Sequence, residues 1–286
     1  MNLISGTVLA DKIYEKIHQH LKDNKIRSKM CLGIIQIGDD ERSNKYIKVK
    51  QKKLAEMGWT CIHRKLYETI SNTDFSNIIY QLVLDDSVHG IIAQLPMPKH
   101  IESRTFDDVP YDKDVDGLTL ANQGMLFKDY MHGRSVAPCT ALACMHFLQA
   151  HKVKIAGSHA AVFGRSCLVG RPISMMLQHS GATVVSINQE DKNQSILSRN
   201  CDILVSAMGV PHYITTDYVK QNAFVVDIGI TQVENKMLGD IHPDVASHAR
   251  WVSPTKDGIG PLTVAFLMFN LLKCFCLQNG EKLLQL

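Results

Sequence analysis

The sequence predicts an α/β protein of two lobes with a cleft between them. Three observations predict it. Short apolar runs alternate with helical patterns along the chain. Those runs are near-continuous in apolar residues rather than alternating, as in strands buried on both faces of a parallel sheet. A polar, turn-rich break, FKDYMHGRSVAPC at 127–139, separates one βα series from a second that opens with HAAVFGRS. A cleft between two lobes is the default place for a ligand.

Taken in order, MNLISGTVLADKIYEKIHQHL reads as a short strand and then an amphipathic helix over 10–24, with Leu9, Ile13, Ile17 and Leu21 spaced by four. It lacks a basic stretch followed by a long apolar core, so no secretion signal is visible. CLGIIQIG (31–38) and HGIIAQL (89–95) read as strands. Helices are expected over 43–58, with Ile47 and Leu54 inward, and over 74–85. Beyond the break come a helix at 140–151, the strand HAAVFG (159–164) and a helix at 170–180. Three further strands follow: ATVVSI (182–187), DILVSAMG (202–209) and AFVVDIGI (223–230). The last helix, 262–278, contains the most apolar segment, PLTVAFLMFNLLKCFCL; Asn270 and Lys273 interrupt it, which favours a buried helix over a membrane span.

Composition narrows the function classes. The 286 residues are 45% hydrophobic and 21% charged, ordinary for a globular protein, and a net charge of +3 gives no footprint for nucleic acid or an anionic membrane. Eight cysteines, at 31, 61, 139, 144, 167, 201, 274 and 276, form no C-x-x-C pair and no zinc spacing. Several lie in or beside apolar runs and read as free thiols of a reducing, cytoplasmic compartment. No metal site is expected.

Two regions carry candidate chemistry. In SNKYIKVKQKK (43–53), Tyr46 and Lys50 share a helix face at i and i+4, and Lys45, Lys52 and Lys53 crowd nearby. Crowding and partial burial lower a lysine pKa, and such a lysine can serve as a base; the other reading is a solvated charged face. Gln94 ends an apolar strand before L-P-M-P, and DKDVDGL brings Asp112, Asp114 and Asp116 close together without the register of a calcium loop. In the second series, the turn from Gly164 to Pro172, GRSCLVGRP, leads from strand to helix. Such a turn offers backbone N–H groups to a pyrophosphate, although Ser166 stands where the usual fingerprint has a glycine. Past the next strand the chain reads Asn188, Gln189, Glu190, Asp191, Lys192, and Arg165 is the cation that could accept a 2′-phosphate. The loops SAMGVP (206–211) and DIGI (227–230) lie at carboxyl ends of strands, where such sheets bind ligands.

Together these segments resemble the bifunctional methylenetetrahydrofolate dehydrogenase/cyclohydrolase family. The resemblance covers essentially the whole chain: I-G-D-x-x-x-S-x-x-Y-x-x-x-K-x-K from Ile37 to Lys52, then QLPMP (94–98), KDVDG (113–117) and PCT (138–140). It continues through G-R-S-x-x-V-G-x-P (164–172), A-M-G-x-P (207–211), VDIGI (226–230), GD (239–240) and GIGPLT (258–263). The resemblance implies a folate-binding catalytic domain of residues 1–139 with 264–286 and a Rossmann-type dinucleotide domain of 140–263. It implies Lys50 as catalyst, Gln94 as its hydrogen-bond partner, Tyr46 packing on the folate, Asp116 holding the pterin and Ser43 in support, with Gly260 and Pro261 also against the folate. It implies a cofactor site of Thr140, Gly164, Arg165, Ser166, Gly170, Asn188, Gln189, Ala207, Gly209, Ile230 and Thr263, for NADP first and NAD as the alternative. The implied chemistry is oxidation of 5,10-methylenetetrahydrofolate, then hydrolysis to 10-formyltetrahydrofolate, in a homodimer paired through the cofactor domain. Three departures stand out: PCTALA at 138–143 where the family has P-C-T-P-x-G, Lys256-Asp257 in place of a Pro-Gly pair, and Asn188-Gln189 in place of a His-Ser pair.

Overall fold

The computed structural model describes residues 4–129, 134–234 and 236–286. The chain divides into two compact units: a first unit of Ile13–Cys139 with Leu267–Leu286, and a second of Met1–Lys12 with Thr140–Phe266. The sequence reading assigns residues 1–12 and 264–266 to the first lobe; the structure groups them with the second. The reason is local bonding: the Ile4 N–H donates to His151 Nε2 (2.9 Å), Gly6 N–H to the Asp257 carbonyl (2.6 Å) and Thr7 N–H to Asp257 Oδ1 (2.8 Å). The expected N-terminal strand is absent at residues 4 and 5, and helix α1 (Gly6–Asp23) starts directly after them; residues 1–3, and 130–133 of the expected break, lie outside the described residues.

In the first unit, β1 (Cys31–Ile37) is central, with β2 (Thr60–Leu66) and β3 (Gly90–Gln94) parallel to it on either side. Every residue of β1 is buried, which its unbroken apolar run requires. β2 escapes the sequence reading because TCIHRKL carries His63, Arg64 and Lys65; as an edge strand it is half exposed and needs no apolar continuity. Helix α2 (Glu41–Glu56) starts where the Asp40 side chain accepts the Ser43 N–H (2.8 Å), and buries Ile47 and Leu54. Helix α3 (Asn72–Leu84), capped by Ser71, packs Phe75, Ile79 and Leu82 against Ile35, Ile37 and Ile91 of the sheet. A further helix, α4 (Leu120–Asp129), was not anticipated from the sequence.

In the second unit, α5 (Cys139–Ala150) leads to β4 (His159–Phe163), α6 (Gly170–His179), β5 (Thr183–Ile187), α7 (Gln194–Ser198), β6 (Ile203–Ser206) and β7 (Phe224–Asp227). The run AFVVDIGI is not one strand: β7 ends at Asp227, and β8 (Ile230–Val233) turns away to pair antiparallel with β9 (Lys236–Gly239). A two-residue strand, β10 (Trp251–Val252), completes a parallel sheet of order β10-β7-β6-β4-β5. The chain leaves β4 for β5 on one side and returns to β6 on the other. The carboxyl ends of β4 and β6 therefore flank a topological switch point, where open α/β sheets bind ligands.

Helix α8 (Ile259–Asn279) is long and apolar enough, by length and composition, to cross a membrane, yet most of it is buried in the protein. Its polar interruptions have partners inside the first unit. Asn270 Nδ2 donates to the carbonyls of Val115 (2.8 Å) and Ala137 (2.9 Å), and Lys273 Nζ to that of Ser135 (2.7 Å). A buried core helix can keep such groups because folded loops accept their hydrogen bonds.

Candidate active site

The first unit gathers a lysine, an amide and a carboxylate at the carboxyl end of its sheet. Register places Gln36 of β1 opposite Gln94 of β3. Gln36 Nε2 donates to Asn44 Oδ1 (2.8 Å), tying the first turns of α2 to the strand tip. Ser43 Oγ donates to Asp40 Oδ1 (2.9 Å) and reaches the Leu95 carbonyl (3.2 Å), fastening the helix to the loop after β3. Two turns farther along α2, Lys50 Nζ donates to Gln94 Oε1 (2.9 Å). The Gln94 amide cannot turn freely, because its Nε2 donates to the Leu95 carbonyl (2.9 Å). Tyr46, one turn before Lys50, keeps 46% of its surface exposed, so its ring is open to a planar ligand.

Burial holds the Lys50 ammonium below the ordinary lysine range, with the charge of Asp116 acting in the opposite sense. Asp116 is raised above the ordinary carboxylate range, chiefly by burial and against the pull of Lys50. One backbone donor reaches it, the Cys139 N–H (3.1 Å). Burial, with Asp116 alongside, also pushes the Cys139 thiol well up, so it stays protonated. Asp114 is occupied differently: its Oδ2 accepts from Thr119 N, Thr119 Oγ1 and Asn122 Nδ2, each at 2.9 Å, and so braces the turn into α4.

In the second unit, β4 ends in a glycine cradle. Gly164 has φ +100°, and a Cβ there would lie 2.6 Å from the Ala207 carbonyl oxygen; a Cβ at Gly170 would lie 1.8 Å from the Gly164 oxygen. Only glycine lets the start of α6 close on this turn. At the start of α6 the Val169 N–H donates to Ser166 Oγ (3.2 Å) and the Arg171 N–H to the Ser166 carbonyl (3.1 Å), while the Val169 side chain offers no cap to the helix, as an anion-binding helix start requires. These features fit a dinucleotide pyrophosphate. At the end of β5, Arg165 Nη2 donates to the Ser186 carbonyl and to Asp191 Oδ2, both at 2.6 Å. Asp191 Oδ2 also accepts the Asn188 N–H (2.7 Å), and Gln194 Nε2 holds the Asn188 and Gln189 carbonyls at 3.0 Å.

The loops after β6 and β7 rest on two buried acids. Asp240 accepts from Ser206 Oγ (2.7 Å) and from the N–H groups of Met208 (2.8 Å), Gly209 (3.3 Å) and Val210 (2.8 Å). Asp227 accepts the Asp240 (3.1 Å) and Ile241 (3.2 Å) N–H groups; burial raises its pKa to about 7.

Residues 4–116 match the family described as "Tetrahydrofolate dehydrogenase/cyclohydrolase, catalytic domain", and residues 138–279 its "NAD(P)-binding domain". The chain belongs to the tetrahydrofolate dehydrogenase/cyclohydrolase family. It is 35% identical to "Bifunctional protein FolD" of Ehrlichia ruminantium (strain Gardel), over 98% of this chain and 95% of that protein. The crystal structure of the bifunctional enzyme FolD from Campylobacter jejuni superposes with a TM-score of 0.91 at 34% identity, covering 97% of this chain and 99% of that one. The Trypanosoma brucei enzyme, solved with NADP and an inhibitor, gives 0.89 at 28% identity, covering 97% and 98%.

Within this family member, the structure brings Ser43, Lys50, Gln94 and Asp116 into one bonded or charge-coupled group, with Tyr46 on the same helix. Gly164, Arg165, Ser166 and Gly170 lie in the glycine turn between β4 and α6, and Asn188 and Gln189 directly follow β5. Ala207 and Gly209 lie in the loop after β6, where the Gly209 carbonyl accepts from Thr231 Oγ1 (2.9 Å), and Ile230 opens β8. Thr140 lies in the first turn of α5, where the chain re-enters the second unit. Gly260, Pro261 and Thr263 sit in the first turns of α8, also in that unit. Sequence reasoning gave no role to Cys139, Asp227 or Asp240, and placed Asp191 in the stretch past β5 without pairing it with Arg165. The available signal was an acid inside or just beyond an apolar strand run, as in VVDIG and MLGD.

Proposed function

We propose that this chain oxidises 5,10-methylenetetrahydrofolate to the 5,10-methenyl form with NADP+, and then hydrolyses that product to 10-formyltetrahydrofolate. The observation that carries this reading is Lys50: a lysine held below its usual pKa, hydrogen-bonded to an amide of fixed orientation and electrostatically coupled to a half-buried acid. A cyclohydrolase step needs such a group, because water must lose a proton as it attacks the methenyl carbon. In this reading the unit built on β1–β3 binds the folate, and the unit built on β4–β7 and β10 binds the dinucleotide, in line with the two family matches.

NADP, when bound, supplies the hydride acceptor. The glycine turn and α6 N-terminus hold its pyrophosphate, with Arg165 and Ser166 beside them, Asn188 and Gln189 toward the ribose, and Ala207, Gly209, Ile230, Thr140 and Thr263 completing the site. Tyr46 stacks on the folate, and Asp116 takes the N–H groups of its pterin ring, with Ser43, Gly260 and Pro261 as supporting contacts. The first step then requires alignment more than proton transfer. In the second, neutral Lys50 takes the proton of the attacking water, while Gln94 Oε1 keeps its amine pointed and Asp116 stabilises the ammonium that forms. In the altered loop, Asp257 adopts φ +62°, a conformation that favours glycine, and its carboxylate accepts the Thr7 N–H at the start of α1.

The chain is further proposed to act as a homodimer paired through the second unit, where β8 and β9 expose Val233 and Met237. A cytoplasmic location is supported by the free state of all eight cysteines. The decisive experiment is a spectrophotometric assay of the purified protein on 5,10-methylenetetrahydrofolate with NADP, followed by decay of the methenyl absorbance. Methenyl formation and decay are expected; no turnover by folded protein would leave a non-catalytic folate- or nucleotide-binding homologue, and formation without accelerated decay a dehydrogenase alone.

A further inference from the structure

We propose that Asp191 sets the preference between NADP and NAD by competing with the 2′-phosphate for Arg165. The inference rests on the dinucleotide reading of the second unit. In a doubly wound sheet the adenosine ribose lies beyond the carboxyl end of the second strand, which here is β5. Arg165 reaches that point, since its Nη2 donates to the carbonyl of Ser186, the penultimate residue of β5. It is the cation best placed to meet a 2′-phosphate. The same nitrogen is already engaged by Asp191 Oδ2 at 2.6 Å. The Asn188 N–H holds that carboxylate oxygen in place (2.7 Å), so the acid is fixed by the backbone rather than free to swing away.

Two consequences follow for a ligand. A 2′-phosphate must share or displace this carboxylate and meets its negative charge at close range; a ribose 2′-hydroxyl meets no such opposition and gains an acceptor. The pair is partly exposed, 42% for Arg165 and 30% for Asp191, so solvent screens it and the effect is graded rather than absolute. Asp191 therefore lowers selectivity for NADP without abolishing its binding. Asn188 and Gln189 are neutral, and Glu190 and Lys192 on either side of Asp191 carry opposite charges, so the neighbouring sequence adds no net cation.

The test is the ratio of dissociation constants, Kd(NAD)/Kd(NADP), measured by calorimetry on the full chain. The same ratio for 5′-AMP against adenosine 2′,5′-bisphosphate isolates the 2′-phosphate from the nicotinamide. Asp191→Asn retains an oxygen for the Asn188 N–H and removes the charge; it should raise both ratios roughly three- to tenfold. Asp191→Ser, which also keeps an acceptor, should do the same if the asparagine variant folds poorly. Raised salt should shrink the difference between wild type and variant. Unchanged ratios would overturn the proposal. Ratios that fall would also overturn it, by making Asp191 an aid that orients Arg165 for phosphate. Binding of neither dinucleotide by the wild type would instead remove the functional reading on which the proposal stands.

Discussion

Asp116 in the first unit and Asp240 in the second are both acids removed from bulk water, but they are partnered in opposite ways. Asp240 is fully buried and accepts four hydrogen bonds, three from consecutive loop N–H groups and one from Ser206. Asp116 receives one backbone N–H and the weak thiol donor of the same residue, Cys139, and faces the charge of Lys50. Saturated with donors, Asp240 holds a loop in shape. Left unsaturated beside a lysine of lowered pKa, Asp116 has acceptor capacity for a ligand and charge to share with a proton-transfer group. Burial alone does not mark a carboxylate as chemical or structural; the count and kind of its donors does.

Four experiments would break or sharpen that contrast. The largest effect is expected from Lys50→Met, which should lower cyclohydrolase turnover by about 10²- to 10⁴-fold. The variant should retain its circular dichroism and NADP affinity; hydrolysis of methenyl-folate at the wild-type rate would show that Lys50 is a bystander. Next, Asp240→Ala leaves several donors unmet in the interior, at roughly 1–3 kcal/mol for each buried group. A large fall in unfolding temperature is expected, and a change of only a degree or two would mean that water replaces the carboxylate.

Asp116→Asn should behave in the reverse sense. Burial already disfavours its charge, so thermal stability should change little, while KM for the folate rises about tenfold or more. Equal losses of stability in the Asp116 and Asp240 variants would erase the distinction. The smallest effect concerns pH. Asp227 is raised from the ordinary carboxylate value to about 7 by burial. Below about pH 4 it is neutral in both the folded and unfolded states. Above 7 the folded state carries a buried charge that the unfolded state keeps in water. Its stabilising contribution is thus complete at low pH and lost as pH rises through about 7. The unfolding temperature of the wild type should fall more steeply between pH 5 and 8 than that of Asp227→Asn, and parallel profiles would mean that Asp227 is ionised throughout.

Much of the fold was legible in the sequence, for identifiable reasons. The runs that form β1, β3, β4, β6 and β7 announce themselves because parallel strands covered on both faces must be apolar on both, and β5, a half-buried edge strand, because it is rich in β-branched residues. β2 and the β8–β9 pair stayed hidden because edge and surface strands carry charged and polar residues. The helix face shared by Tyr46 and Lys50 follows from the 3.6-residue period, and Gln94 from its place at a strand tip. The pairing of Arg165 with Asp191 was not legible, because the two are joined by the return of β5 alongside β4 rather than by chain spacing.

The sequence by itself determined the α/β alternation, the glycine turn, the lysine-bearing helix and, through its joined motifs, the family. Those features depend on local periodicity and on residue types that few other backbones accept. Only the tertiary structure decided which acids became saturated with donors and which stayed open to a ligand. It also decided that residues 4–12 belong with the second unit and that the Asn270 and Lys273 interruptions of α8 are satisfied by loop carbonyls. Those outcomes depend on hydrogen bonds between residues tens to hundreds of positions apart, and on the desolvation that packing imposes; neither quantity exists until the chain has closed on itself.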